Sequence, residues 1–153
     1  MATRTRNPGT RYAGRDWLAD CAPDPDTVRR AWSSGELALV PSGDHWLVVE
    51  APLLGSVDAM QRMPPDILGP VLAHPAAERA WWLVPTDAAE CLDDIARLTV
   101  RPPGWLLYCP PVNRPTNGRV WIERPHSSGR LTDPTLLGAC FGPGGRLPAE
   151  VSG

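Results

Sequence analysis

The residues of this chain that could do chemistry are three histidines, one strand-borne glutamate and a set of neighbouring arginines and tryptophans. His45, His74 and His126 could each move a proton, because an unperturbed imidazole titrates close to neutral pH. None has a serine, cysteine or carboxylate at a spacing that specifies a nucleophile, a base and a group to orient it, so no catalytic assignment follows. Cys21, Cys91, Cys109 and Cys140 are scattered, with no C-x-x-C pair and no histidine close by in sequence. That pattern argues against a zinc site and reads the thiols as small core residues. Ser127-Ser128-Gly129-Arg130 and Gly142-Pro143-Gly144-Gly145-Arg146 end in arginine after glycine. Lacking a P-loop lysine or a full dinucleotide fingerprint, both read as turns, and no cofactor or metal is implied.

A different chemistry is available on a sheet. His45 to Glu50 has the β-branched and aromatic content of a strand, and its alternation puts Trp46, Val48 and Glu50 on one side, Leu47 and Val49 on the other. In the run from Arg79 to Pro85 the same period sets Arg79 with Trp81 against Ala80 with Trp82. An open face carrying Trp46, Glu50, Arg79 and Trp81 would resemble the platform on which RNA-recognition domains stack bases, with Trp81 as the stacking surface and Arg79 beside it. The basic-Gly-aromatic signature of those domains is missing, and seven tryptophans also suit a core or the seating of flanking segments. A solvent-accessible tryptophan distinguishes the two readings.

Composition bounds the partners. A chain of 153 residues with 42% hydrophobic and 21% charged residues is that of one globular domain, and 19 Pro with 14 Gly imply many short elements and tight turns. All fifteen basic residues are arginine, which excludes lysine chemistry. Arg4, Arg6, Arg11 and Arg15 precede the first acid, Asp16, so the remaining chain is more acidic than the net charge of -2 suggests. An acidic body argues against broad tracking of duplex phosphates; Arg4 and Arg6 could touch nucleic acid or simply form a solvated tail. Without an apolar leader or a run of about twenty apolar residues, a cytoplasmic protein with reduced thiols and no membrane contact is expected.

The elements that must position these residues follow from periodicity and punctuation. A basic flexible tail is expected over 1–15, a single α/β domain over 16–142 and a loose tail over 143–153. Asp16 to Cys21 reads as a short helix. A better one opens at Asp24-Pro25-Asp26, with Asp24 as N-cap and Gly35 as the stop. Leu37 to Val40 is extended. After the His45 to Glu50 strand, Leu53 to Met63 carries a helical stripe of Leu53, Leu54, Val57, Met60 and Met63. Leu68 to His74 and Arg79 to Pro85 form a hairpin, and Asp87 to Leu98 a helix burying Ala88, Cys91, Leu92, Ile95 and Leu98. Strands at Trp105 to Cys109 and Arg119 to Glu123 and a short helix from about Thr132 to before Gly142 complete the order. Strand, helix, strand, strand, helix, strand is the ferredoxin-like or RRM-like βαββαβ arrangement. It places two helices on one face of an antiparallel sheet, with extra N-terminal helices and a C-terminal strand and helix as flanks.

The runs Leu68-Gly69-Pro70-Val71-Leu72, Glu78-Arg79-Ala80-Trp81-Trp82-Leu83-Val84-Pro85, Gly104-Trp105-Leu106-Leu107-Tyr108-Cys109-Pro110-Pro111 and Asn117-Gly118-Arg119-Val120-Trp121 carry a likeness. Over residues 16 to 140 the chain resembles the N-terminal Prim-Pol domain of bifunctional DNA primase/polymerases, short actinobacterial proteins especially. The resemblance implies an RNA-recognition-like fold and a replication setting. Nucleotidyl transfer in that family uses an acid-x-acid pair on the first core strand to hold two divalent metals. The matching stretch is Val48-Val49-Glu50, leaving one acid, and the family's later histidine falls near Ala80 or Trp81. The resemblance therefore implies a non-catalytic member that binds single-stranded nucleic acid, a nucleotide or a replication-associated partner. A protein-interaction module, including a homodimer, remains the alternative.

Overall fold

The computed structural model describes residues 14–142; Arg4, Arg6 and the loop beyond Gly142 lie outside the described residues. Helix α1 covers 14–20, so Arg15 belongs to it. Helix α2 (Pro25–Ser33) starts as the sequence dictates. The Asp24 carboxylate accepts from the Asp26 N–H at 3.2 Å and the Thr27 hydroxyl at 2.7 Å, and Pro25 fills a position whose N–H would have no helical partner. Then come β1 (Ala38–Pro41), β2 (Leu47–Pro52), α3 (Leu53–Arg62), β3 (Val71–His74), β4 (Arg79–Val84), α4 (Ala89–Leu92), β5 (Thr99–Val100), β6 (Leu106–Cys109), β7 (Val120–Glu123) and α5 (Pro134–Phe141).

The fold is mixed α+β with two antiparallel sheets. Five strands run in the order β5-β2-β4-β3-β7, while β1 and β6 form a separate ribbon. The large sheet is buried on both faces. Leu47, Val49, Val71, Ala80, Trp82 and Val84 meet α3, α4 and α5; Trp46, Val48, Leu72, Trp81, Leu83 and Trp121 meet α1, α2 and the ribbon. The alternation expected for β2 and β4 is the one observed.

Four expectations need correction. The strand at Trp105 to Cys109 does not join the large sheet. Thr99–Val100 takes the edge of β2 first (Glu50↔Thr99, Val49↔Val100), and the Arg101 N–H continues the pairing to the Val48 carbonyl at 2.8 Å. With that edge filled, Leu106–Cys109 pairs with β1 instead.

The helix expected over Asp87 to Leu98 is one turn, and Cys91 is exposed rather than buried. Asp93 and Asp94 follow that turn directly, where carboxylates oppose the negative end of a helix dipole, and the chain continues in turns. On α3 the buried side is Ser56 and Ala59, with Leu54 82% and Val57 39% exposed. Small residues let this helix lie close to α5: a Cβ on Gly55 would come within 2.9 Å of the Phe141 ring, so the larger apolar residues are turned outward. Lastly, β3 begins at Val71 rather than Leu68, because Pro70 has no N–H to donate and the Gly69 N–H is taken by the Thr132 hydroxyl at 2.9 Å.

The cysteines give a direct check of this packing. Cys21, Cys109 and Cys140 are buried, and Cys91 is exposed. Burial pushes the Cys109 thiol far above its ordinary value. It also raises that of Cys21, against the hydrogen bond from Trp46 and with the help of Asp20. Titration of the native protein with an aromatic disulfide reagent should modify Cys91 alone, the other three reacting only after denaturation. Fast reaction of a second thiol would contradict the buried placement.

Candidate functional site

Adjacent strands bring Glu50 and Trp81 together. They are direct partners in the β2–β4 register, on the face covered by the N-terminal helices, and the Trp81 indole N–H donates to Glu50 Oε1 at 3.1 Å. Arg101, which follows β5, donates from Nη2 to the same oxygen at 2.7 Å. Arg79, one step along β4 on the same side, sets Nε 3.5 Å from Glu50 Oε2. Only 19% of the Glu50 side chain is exposed, against 49% for Arg79.

A third arginine arrives by a tight turn. Asn117 and Gly118 both have positive φ, 50° and 80°, the requirement of a two-residue hairpin turn that suits the right-handed twist of its strands. Thr116 and Arg119 close that turn through reciprocal 3.0 Å backbone hydrogen bonds. The Arg119 guanidinium then lies 4.4 Å from the Trp81 ring centroid and 5.5 Å from that of Tyr108, and donates from Nη1 to the Tyr108 carbonyl at 2.9 Å. Stacking on two aromatic rings fixes the plane of its donors. Arg101 stands 5.3 Å over Trp105, and His74 tilts against Trp81 at 6.4 Å.

Two guanidiniums, those of Arg79 and Arg101, thus contact one carboxylate, and a third, that of Arg119, lies on the indole that donates to it. Burial alone would raise the pKa of Glu50, but hydrogen bonds from Arg101 and Trp81 and the charges of Arg101 and Arg79 outweigh it, holding the carboxyl below its ordinary range. Burial pulls the Arg119 guanidinium below its ordinary value, opposed by Cys109, Tyr108 and Glu50. It remains a cation at neutral pH. The cluster carries excess positive charge and presents Arg79 and Tyr108, the latter 46% exposed, at its outer rim. Such an arrangement attracts anions. It disfavours a divalent cation, since the Glu50 oxygens are already committed to donors and guanidiniums. Among the described residues no group of three or more His, Cys, Asp and Glu could hold a metal ion.

Of the residues singled out by sequence, Glu50, Arg79 and Trp81 meet here. The open face expected around them does not exist: Trp46 is 0% and Trp81 5% exposed, because α1, α2 and the ribbon cover this side. Trp46 donates its indole N–H to Cys21 Sγ at 3.4 Å and serves the core. Neither tryptophan has a free ring face for a base. His45 is exposed, and His126 Nδ1 lies 2.8 Å from the Ser128 hydroxyl within its own turn. Arg101, Arg119, Tyr108 and Trp105 were not among the site residues expected from sequence; the strand read from Arg119 begins at Val120, with Arg119 bridging back to Thr116 across the Asn117-Gly118 turn.

No protein-family model matches the chain, and no curated protein or solved structure matches it.

Proposed function

We propose that this is a non-catalytic, Prim-Pol-like domain that binds single-stranded nucleic acid or a nucleotide at the rim of the Glu50 cluster. The observation that carries the reading is the surplus of guanidinium groups over carboxylate, beside a half-exposed tyrosine. Arginine forks suit phosphate oxygens, and an aromatic ring suits a base. The strand order β5-β2-β4-β3, with α3 and α4 as its connections, supports a ferredoxin-like core to which β7 and α5 are added. The single acid at Glu50, already held by arginines, supports binding without nucleotidyl transfer.

In this reading Tyr108 replaces Trp81 as the stacking surface, and Arg79 and Arg119 take phosphate. Fluorescence anisotropy of a labelled short single-stranded oligonucleotide should show salt-sensitive binding. Arg79→Ala should weaken it by roughly tenfold and Tyr108→Ala by a similar factor. Binding that ignores both substitutions, or no binding at low salt, would remove the proposal.

The alternative, a protein-interaction module, rests on a separate observation: Leu54 and Val57, one turn apart on α3, are exposed together. A second copy or another protein docking there would be weakened by Leu54→Ser, which leaves the arginine rim untouched.

A further inference from the structure

The two-stranded ribbon keeps an apolar outer face. Alternation along β1 and β6 sends Ala38, Val40, Leu107 and Cys109 into the core and leaves Leu39, Pro41, Leu106 and Tyr108 on the other side. The register joins these four into one strip, with Leu39 opposite Tyr108 and Pro41 opposite Leu106. Leu39, Leu106 and Tyr108 are each nearly half exposed, and they are three of the five large apolar side chains exposed among the described residues. Neither strand carries a charged residue, and their pairing has no bulge, so two devices that usually blunt an exposed strand pair are missing.

The strip borders the guanidinium surplus. Arg119 donates to the Tyr108 carbonyl with its guanidinium 5.5 Å from that ring, and Arg101 stands 5.3 Å over Trp105, the residue before Leu106. Among the described residues Arg119 hydrogen-bonds through Nη1 alone, and Arg79, half exposed, meets Glu50 through Nε, so both keep N–H groups for a ligand. A complementary ligand is therefore apolar along the strip and anionic beside it. Spacing identifies its chain. Outer positions on one strand are about 7 Å apart, the interval between same-face side chains of an extended peptide, whereas bases along a nucleic-acid strand repeat at about 3.4 Å. Three of the four outer residues are aliphatic and one is a ring, which suits peptide side chains better than bases that call for successive aromatic platforms.

We infer that the outer face of the ribbon docks an extended acidic peptide of another protein, with alternate apolar side chains on Leu39, Leu106 and Tyr108 and carboxylates beside Arg119 and Arg79. The apolar strip supplies contact, and the guanidinium forks supply orientation. The docking does not require the rim to bind nucleic acid; where both ligands bind, they share Tyr108 and the arginines and exclude each other.

Short random peptides displayed on phage and selected against the full chain supply the probe, and the tightest of them is labelled and titrated by fluorescence anisotropy. The selected peptides should share acidic residues next to alternating apolar ones. Replacing Asp and Glu of the labelled peptide by Asn and Gln should weaken it by about tenfold, as should Leu39→Thr or Leu106→Thr in the protein, while Leu54→Thr on α3 leaves it unchanged. Threonine suits an exposed strand position, so the ribbon variants should keep the parent melting curve, and the neutral peptide tests the charge on the unaltered chain. Recovery of no binding peptide, selected peptides without an acidic excess, affinity indifferent to both ribbon substitutions, or loss of binding in Leu54→Thr would each overturn the inference. Ribbon substitutions that weaken a single-stranded oligonucleotide and spare the peptide would assign the strip to nucleic acid, rejecting the docking while supporting the earlier reading. Peptide binding without oligonucleotide binding would sustain the docking and remove that reading.

Discussion

Trp82→Ala should cost about 3–5 kcal/mol of folding stability, the usual range for truncating a buried tryptophan. Trp82 is fully buried at the centre of the larger sheet, on β4 between β2 and β3, and meets Phe141 of α5 edge to face at 6.4 Å. Its indole N–H donates to the Ser56 hydroxyl at 3.0 Å, and that hydroxyl donates to the Pro52 carbonyl at 2.8 Å. The ring therefore joins the sheet to both α3 and α5. Set against the roughly 5–15 kcal/mol that stabilises an ordinary domain, the loss should leave a visibly populated unfolded state or a much lower denaturation midpoint. Trp82→Phe keeps most of the apolar contact and loses one hydrogen bond, so it should cost clearly less. Urea denaturation of the two variants provides the comparison. Near-native stability of Trp82→Ala would mean that the sheet and the helices are not packed through this residue.

Glu50→Ala should be the next most damaging change, at about 1–3 kcal/mol. The substitution leaves Arg79 and Arg101 without their shared counter-charge and the Trp81 indole N–H without its acceptor. The figure lies below that of a fully enclosed ion pair because Glu50 keeps some solvent contact and Arg79 can turn outward. Glu50→Gln retains an acceptor for the indole and should lose less.

These variants also isolate a pH dependence. The folded-state pKa of Glu50 lies below its unfolded value, so its contribution is complete above the ordinary carboxylate range and is lost as pH falls through the folded value. The stability difference between the parent protein and Glu50→Gln should therefore shrink on acidification below that range. A difference that stays constant to low pH would show that the carboxylate charge contributes nothing. Because Glu50 competes with any bound anion for the same arginines, Glu50→Gln should also tighten oligonucleotide binding at the rim, the opposite sign to its effect on stability.

Much of the local structure was legible in the chain. Asp24-Pro25 starts α2 because a carboxylate can accept the free N–H groups of a first turn and proline lacks one of them. The same logic starts α5, where the Asp133 carboxylate accepts from the Thr135 and Leu136 N–H groups. Period-two alternation assigns Leu47 to Glu50 of β2 to their faces, which is why Glu50, Arg79 and Trp81 group together from sequence. The lengths of the short elements were less accessible, since the stripe from Ala88 to Leu98 satisfies a helix as well as a single turn followed by loop.

What the sequence determined by itself was therefore local: caps, turns, strand faces and the sign of the charges. Which strand occupies the free edge of β2, whether α1, α2 and the ribbon close over Trp46 and Trp81, and which arginines reach Glu50 were decided by tertiary structure alone. The physical reason is separation along the chain. Arg101 lies 51 residues from Glu50 in sequence, and their contact depends on the competition between β5 and β6 for one sheet edge, a choice that neither segment encodes in its own residues.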